Sequence, residues 1–379
     1  MNLSAIVVAA SLFLITATVN LQMPLYKSYA QIAGYGNTLT AIVFAAYILG
    51  LLPILIIFGG ISDRIGRKPV VLASLLAAAS ATALILAQPT MQVLFISRIL
   101  QGVSIGLGVG AGTAYLTEIL NENSARAAIY VSLTTSLGFG GGALFTSAAL
   151  LHGKTLTPYS YLVVLLLTLI CIVLVIGLPS QNLSRKVVPL IRWPYLPHGA
   201  AIVGVAIALA WSVSGLVIAI VPKQLAHHSL DAWSGPALFA VNGTGALVQP
   251  LARRMDSTLS VKIGLILLPI GYVLLLGGIW LGVIYLVLIG TAIVGAAGYG
   301  FIYLGGLAEV SRLGGEQRAR AVSGYFLCAY LGFGLPSILL GIIADIFGVI
   351  FALVSFTVVV IAASYKLISQ LNHNKSIVV

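Results

Sequence analysis

Long apolar runs alternate with short polar breaks along the whole chain. The runs reach about 18 residues or more, the length at which an α-helix crosses the hydrocarbon core of a bilayer. A helix also bonds its backbone polar groups within the segment, as a lipid environment demands. The pattern predicts twelve spanning helices, at 3–26, 37–58, 69–88, 91–115, 127–151, 159–178, 199–222, 234–251, 261–280, 283–308, 321–343 and 349–368.

Composition agrees with a protein embedded in lipid. The 379 residues are 60% hydrophobic and only 7% charged, too few charged residues to cover a water-exposed surface. The first run lacks a basic segment before it and a small-residue cleavage site after it, so we expect a retained helix. The predicted fold class is an all-α membrane protein that contacts the lipid bilayer.

The basic residues predict the orientation. If the N-terminus is cytoplasmic, 15 of the 19 lysines and arginines fall in inside loops or the tail. Because cytoplasmic loops carry an excess of Lys and Arg, we expect both termini in the cytoplasm and the protein in an inner or plasma membrane. The net charge of +11 then reflects topology and attraction to anionic lipid. It does not require nucleic acid as a partner.

The two halves of the chain resemble each other. Glu118 and Glu309 lie at the inner ends of the fourth and tenth predicted spans, 191 residues apart. The string "LGFG" begins at Leu137 and again at Leu331, an offset of 194. Both pairs occupy equivalent places in the predicted topology, which favours an internal duplication.

Duplication predicts two pseudo-symmetric six-helix bundles joined by a basic linker. Parallel repeats of this kind are typical of transporters in which one half rocks against the other. We expect a monomer that carries a small-molecule substrate. The predicted divisions are an N-terminal bundle at 1–178, a cytoplasmic linker at 179–198 and a C-terminal bundle at 199–379.

Charge gathers in the loop between the second and third spans, "GGISDRIGRKPV" at 59–70. This loop resembles the signature loop of the major facilitator superfamily, in which a glycine, an acid, a base, a glycine and two bases follow at fixed spacing. "RILQG" in the fourth span, with Arg98, Gln101 and Gly102, is similar to a second feature of that family. The resemblance implies a twelve-helix secondary transporter, similar to drug and metabolite exporters.

The resemblance also implies a conformational lock. In the family the loop acid contacts the neighbouring half and a base in the loop after span four, and so holds the outward-open state. Here these would be Asp63, Arg126 and the start of span eleven, whereas the second half has Pro250 in place of Gly59. The residues implied in gating are Gly59, Asp63, Arg64, Gly66, Arg67, Lys68, Glu118 and Arg126.

Arg98 is the one ionisable side chain placed well inside a predicted span, roughly 10 Å from its outer end at 1.5 Å per residue. A charge at this depth costs about 2.5 to 3.5 kcal/mol on insertion scales, so a functional role is the first hypothesis. Arg98 would bind an anionic group of the substrate or take part in proton coupling. The alternative is a structural arginine that binds backbone carbonyls.

Polar and aromatic residues in the spans that line the family's cavity are candidates for substrate contact. Such side chains combine apolar surface with one hydrogen-bonding tip, which suits a small-ligand site. The candidates are Asn20, Gln22, Tyr47, Gln101, Trp211, Asn242, Tyr299, Tyr303 and Tyr330.

The motifs present in the chain, and those it lacks, limit the classes of function that it can have. It has no P-loop or HExxH motif, and its histidines lie at span ends, in loops or in the tail, so we expect neither an enzyme nor a bound cofactor or metal. The energy source would be a proton gradient, which the resemblance implies.

"SLGFGGGA" at 136–143 partly matches an exporter motif, with Phe139 where proline is usual. We expect proton-coupled efflux of an amphipathic or anionic small molecule such as a drug, siderophore or metabolite; the alternative is an importer or facilitator of an organic anion.

Overall fold

The computed structural model describes residues 3–179, 193–228 and 230–375, and within these ranges every regular element is helical. Short 3-10 turns and one π-helical segment join or interrupt the α-helices. The helices are α1 Leu3–Asn20, α2 Tyr26–Ala33, α3 Asn37–Ala45, α4 Tyr47–Ile57, α5 Ile61–Ile65, α6 Arg67–Ala87, α7 Met91–Ile119, α8 Ser124–Leu150, α9 Tyr159–Ile176, α10 Ala201–Leu225, α11 Ser234–Ala252, α12 Ser257–Leu281, α13 Ile284–Gly295, α14 Tyr303–Leu313, α15 Arg318–Phe347 and α16 Val349–Lys375.

The helices account for the predicted spans. Within the described ranges, 11 helical stretches are long and apolar enough to cross a membrane. The remaining predicted span, 234–251, corresponds to α11, which has 19 residues and carries buried Asn242 and Gln249. The predicted twelve-helix, all-α class is therefore confirmed.

Two compact units divide the chain. The first contains Met1–Ala33 and Ala46–Trp193, and the second contains Gly34–Ala45 and Pro194–Val379. The predicted span 37–58 is thus shared, with α3 in the second unit and α4 in the first. The predicted bundles 1–178 and 199–379 and the linker 179–198 remain predictions, and residues 180–192 of the linker lie outside the described part of the chain.

Glycines bring helix backbones together in the first unit. A Cβ on Gly102 of α7 would lie 1.9 Å from the Tyr47 carbonyl oxygen of α4, and one on Gly50 would lie 2.0 Å from the Ile99 oxygen. On α8, a Cβ at Gly142 would lie 2.1 Å from the Ala17 oxygen of α1. Small residues permit this close approach between membrane helices. The glycines of "SLGFGGGA" therefore pack α8 on α1.

A π-helical segment, Ala296–Ile302, separates α13 from α14 in the second unit. Its altered hydrogen-bond register is accompanied by side-chain donors to the local carbonyls, as expected for an interrupted helix in lipid. Tyr325 Oη donates to the Ile302 and Tyr303 oxygens at 3.0 and 3.1 Å, and Ser260 Oγ donates to the Phe301 oxygen at 2.8 Å. These bonds fix the segment against α12 and α15.

Helix α3 is attached to the end of α15 within the second unit. The Asp345 carboxylate accepts hydrogen bonds from the backbone N–H groups of Asn37 and Thr38, each at 2.9 Å. The Asn37 amide and the Thr38 hydroxyl add two more, at 2.8 and 2.6 Å. Lys223 Nζ of α10 donates to Asn37 Oδ1. The first turn of α3 is therefore capped by residues distant in sequence.

Candidate functional site

Arg98 is almost fully buried in the first unit, with 1% of its surface exposed. Its guanidinium donates to the Val19 carbonyl oxygen at 2.8 Å and to Gln101 Oε1 at 3.1 Å. Its Cζ lies 5.0 Å from the centre of the Tyr47 ring, a cation–π distance. Arg98 is thus embedded in hydrogen bonds and aromatic surface, which matches the alternative of a carbonyl-binding arginine.

The end of α1 explains why these polar groups gather. The last carbonyls of a helix have no partner within it, and in an apolar interior they need donors. Gln101 Nε2 donates to the Thr18 oxygen at 2.9 Å, and Gln22 Nε2 donates to the Val19 oxygen at 2.8 Å. The amides of Gln22 and Gln101 also bond each other at 3.0 Å. Side chains of α7 therefore satisfy the carbonyls at the C-terminus of α1.

Five of the predicted residues share this part of the first unit: Asn20, Gln22, Tyr47, Arg98 and Gln101. Asn20 differs from the others in its partner, since its Nδ2 donates to the Phe139 oxygen of α8 at 2.8 Å. The bonded network of Gln22, Arg98 and Gln101 combines one permanent positive charge with two primary amides. It offers charge-assisted hydrogen bonds to any anionic or carbonyl group that reaches it.

Four other predicted residues surround one another in the second unit. The ring centre of Trp211 on α10 lies 5.1 Å from Tyr330 on α15, 5.5 Å from Tyr299 in the π-helical segment and 6.5 Å from Tyr303. Phe333 of α15 completes this aromatic cluster at 6.3 Å. The distances are those of favourable aromatic pairs. The cluster brings together residues spread over more than 120 positions of sequence.

The indole of Trp211 has an unused donor. The residue is 8% exposed, and within the described residues its Nε1 has no hydrogen-bond partner. A buried polar group of this kind is rare in native structures and calls for a ligand, a water or another functional explanation. Aromatic rings with one free N–H donor are the groups that would contact a ring-containing ligand that carries an acceptor.

Asn242 is the last of the residues predicted to contact the substrate. Asn242 donates to the Leu238 oxygen of its own helix at 2.8 Å, a bond internal to α11. Sequence reasoning missed Phe333 and also Phe326, whose ring lies 6.2 Å from Tyr330. Their spacing of three and four residues from Tyr330 on α15 places them on the same helix face. That spacing was the available signal.

Arg67 binds three polar side chains in and beside the charged loop of the first unit. It forms an ion pair with Asp63, one turn earlier, and its Nε donates to Glu118 Oε1 of α7 at 3.0 Å. Ser62 Oγ accepts a third bond at 2.7 Å. Gly66 joins α5 to α6 with φ of 97°, a conformation that favours glycine. A cavity of about 170 Å³ beside this loop is lined by Asp63 and Arg67, among others.

The other gating residues have separate environments. Lys68 Nζ donates to the Ile176 and Leu178 oxygens at 2.7 and 2.6 Å, so a cation caps the C-terminus of α9, where the dipole favours it. Arg64 and Arg126 are exposed, and Gly59 lies in the turn between α4 and α5. The partnership of Asp63 with Arg126 remains a prediction.

Comparison with known proteins places the chain in a family. The sequence model described as the Major Facilitator Superfamily matches residues 8–312. The chain belongs to the major facilitator superfamily. It is therefore a multi-pass membrane transporter and not an enzyme, as the signature loop at 59–70 indicated.

Individual relatives are more distant. The tetracycline resistance protein, class C, of Escherichia coli is 28% identical over 173 residues, which cover 41% of this chain and 43% of the relative. The crystal structure of a point mutant of the nucleoside transporter NupG matches with a TM-score of 0.76 and 13% identity. This match covers 96% of this chain and 99% of that one. At this identity it shows a shared fold.

Proposed function

We propose that this protein is a secondary active transporter that exports an amphipathic or anionic small molecule in exchange for protons. The observation that carries the proposal is the aromatic cluster around Trp211. Its rings supply flat apolar surface, and its free indole N–H supplies one donor for an acceptor on the ligand. A ring-bearing molecule with a carbonyl, carboxylate or phenolate oxygen fits that combination.

Support for export comes from the relative named for tetracycline resistance. A transporter that confers resistance must carry the compound away from its target, and that direction is outward. Support for an anionic or carbonyl-rich substrate comes from Arg98, whose charge lies with Gln22 and Gln101 in the other polar network. The second candidate is an importer or facilitator of an organic anion, which the charge of Arg98 would equally suit.

The proposal of proton coupling is supported by family resemblance and by two residues. Glu118 has one carboxylate oxygen that is buried without a hydrogen-bond partner within the described residues. Arg98 provides a fixed charge on the same helix, α7. We expect Glu118 to exchange the proton and Arg98 to bind the substrate's negative group.

Flux in proteoliposomes tests the proposal directly. Purified protein would be reconstituted, and transport of tetracycline and of a nucleoside measured with and without an imposed pH gradient. Proton-driven movement of either probe supports coupling. Movement down the probe's own gradient, unchanged by pH, would support the facilitator alternative.

Two tryptophan variants test the binding site. Trp211→Ala should abolish saturable flux, and Trp211→Phe should weaken it because the rings remain while the donor is lost. The matched control is Trp280→Ala on α12, since Trp280 is 80% exposed. Equal flux in the Trp211 and Trp280 variants would remove the aromatic cluster from the substrate site.

A further inference from the structure

A second cavity, of about 480 Å³, lies in the second unit among the ends of α11, α12, α14 and α15. Its size is within the range of small-ligand pockets. The aromatic residues of the proposed substrate site do not line it. Three arginines do: Arg253 after α11, Arg312 on α14 and Arg318 at the start of α15. We call this the arginine cavity.

The carboxylates near the arginine cavity leave an excess of positive charge. Glu309 binds Arg312 through Nε at 3.2 Å and also through Nη2, and it accepts a bond from Ser257 Oγ at 2.9 Å. Asp256 accepts from the Leu259 N–H at the start of α12. Arg253 and Arg318 are exposed guanidiniums on the same cavity. Three arginines therefore line the cavity, which has no carboxylate among its described lining residues, and the nearby Asp256 and Glu309 already have partners.

In the equivalent loop of the first unit, carboxylates balance the positive charge of the arginine. There Arg67 is held by both Asp63 and Glu118. At the offset of 191 that relates Glu118 to Glu309, the position of Asp63 is occupied by Arg254. The second half thus has a base at the position of Asp63, and its loop acid, Asp256, lies two residues later. A preference for cytoplasmic loops explains basic residues in general but not their convergence on one cavity.

The rest of the lining is apolar or hydroxylic. Leu304, Leu307 and Ala308 form one wall, and Ser257 and Ser311 add hydroxyl groups. Guanidinium groups bind phosphate oxygens in pairs of parallel hydrogen bonds, and the Ser311 hydroxyl can donate to the same oxygens, whereas Ser257 already donates to Glu309. An apolar wall next to such donors suits a phosphate attached to a hydrocarbon group.

We propose that the arginine cavity binds a phosphate-bearing anion, with the headgroup of an anionic phospholipid as its main source. The ends of α11 and α14 lie on the side predicted to be cytoplasmic, where anionic lipids are attracted to basic segments. Binding there would link α11, α12, α14 and α15 through one ligand. Its lining residues differ from the aromatic residues of the proposed substrate site, so variants of one site leave the side chains of the other in place.

The test uses the full-length protein in detergent with three probes: short-chain phosphatidylglycerol, phosphatidylcholine of the same chain length, and inorganic phosphate. Phosphatidylglycerol should raise the melting temperature of the wild type, and phosphatidylcholine should not. The double variant Arg253→Gln/Arg318→Gln should bind phosphatidylglycerol roughly thirtyfold more weakly, from the loss of two charges near the headgroup. Melting without ligand would show whether each variant folds, and the two single variants replace the double if it does not.

The control is Arg254→Gln/Arg320→Gln, which removes the same charge from the same two loops outside the cavity lining. Its affinity should fall much less than that of the cavity variant, because Arg254 and Arg320 do not line the cavity and act on the ligand only through screened long-range attraction. Displacement of the lipid by millimolar phosphate would assign the site to phosphate in general. Resistance to phosphate, with sensitivity to the cavity variant, would assign it to the lipid. Equal losses in the two double variants, or no binding of either anion, would overturn the proposal.

Discussion

Asp345 holds Thr38 by two hydrogen bonds, one from the backbone N–H at 2.9 Å and one from the hydroxyl at 2.6 Å. The two residues are 307 positions apart. A carboxylate at the first turn of a helix satisfies N–H groups that lack partners and interacts favourably with the helix dipole. Here the capping group of α3 comes from the end of α15, in the same compact unit.

Asp345→Asn should loosen α3. The amide keeps one acceptor oxygen and loses the charge, so we expect the attachment to weaken by about 1 kcal/mol, a typical value for a helix cap. Hydrogen exchange of the α3 amides, followed by mass spectrometry, should become about fivefold faster. Glu316→Gln, at an exposed position, serves as the control. Unchanged protection of α3 in Asp345→Asn would show that the cap does not hold this helix.

Arg98→Met should destabilise the first unit. The substitution keeps the length of the side chain but removes the donor to the Val19 oxygen and Gln101. Gln22 still donates to both oxygens, so the loss is that of hydrogen bonds from a charged donor, about 1.5 to 3 kcal/mol, and the melting temperature should fall measurably. Arg98→Lys should retain part of the stability because an ammonium can still donate to one of these oxygens.

The same variants separate a structural role from a transport role for Arg98. If Arg98 binds the substrate, Arg98→Lys should fold yet lose flux of an anionic probe. Full flux in a folded Arg98→Lys or Arg98→Ala protein would limit Arg98 to capping the end of α1.

Gly102→Ala should disrupt the contact between α7 and α4. A Cβ there would overlap the Tyr47 carbonyl oxygen at 1.9 Å, and the backbones would have to separate. Overpacking of this kind costs about 1 to 3 kcal/mol. The control is Gly110→Ala on the same helix, where an added Cβ meets nothing within 4 Å. Similar melting temperatures for the two variants would contradict the close packing.

Asp63→Asn should shift the conformational equilibrium more than the stability. Arg67 keeps its bonds to Glu118 and Ser62, and a partly exposed ion pair contributes about 1 kcal/mol or less. Family resemblance implies that Asp63 also secures the outward-open state. Cysteines introduced at the predicted outer cavity should therefore react more slowly in Asp63→Asn. Unaltered reaction rates would refute the lock.

The fold class could be predicted from the sequence because the length and the polarity of a spanning segment are local properties. The bilayer sets the values that both must have. The predicted span 91–115, for example, lies within α7, Met91–Ile119. The signature loop at 59–70 likewise identified the family from residue types and spacing alone. The candidate residues Trp211, Tyr299, Tyr303 and Tyr330 were chosen from their polarity and their place in the spans, and the structure brings them together.

Other features required the tertiary structure. No pattern in the sequence pairs Asp345 with Thr38, or turns Arg98 toward the end of α1, because each contact depends on which helix faces meet. The arginine cavity likewise combines residues from four helix ends. The sequence by itself determined the helical membrane fold and the family, and it supplied the candidates for ligand contact. Their partners were decided only by packing, because a side chain's neighbours in space are set by the whole chain and not by its local composition.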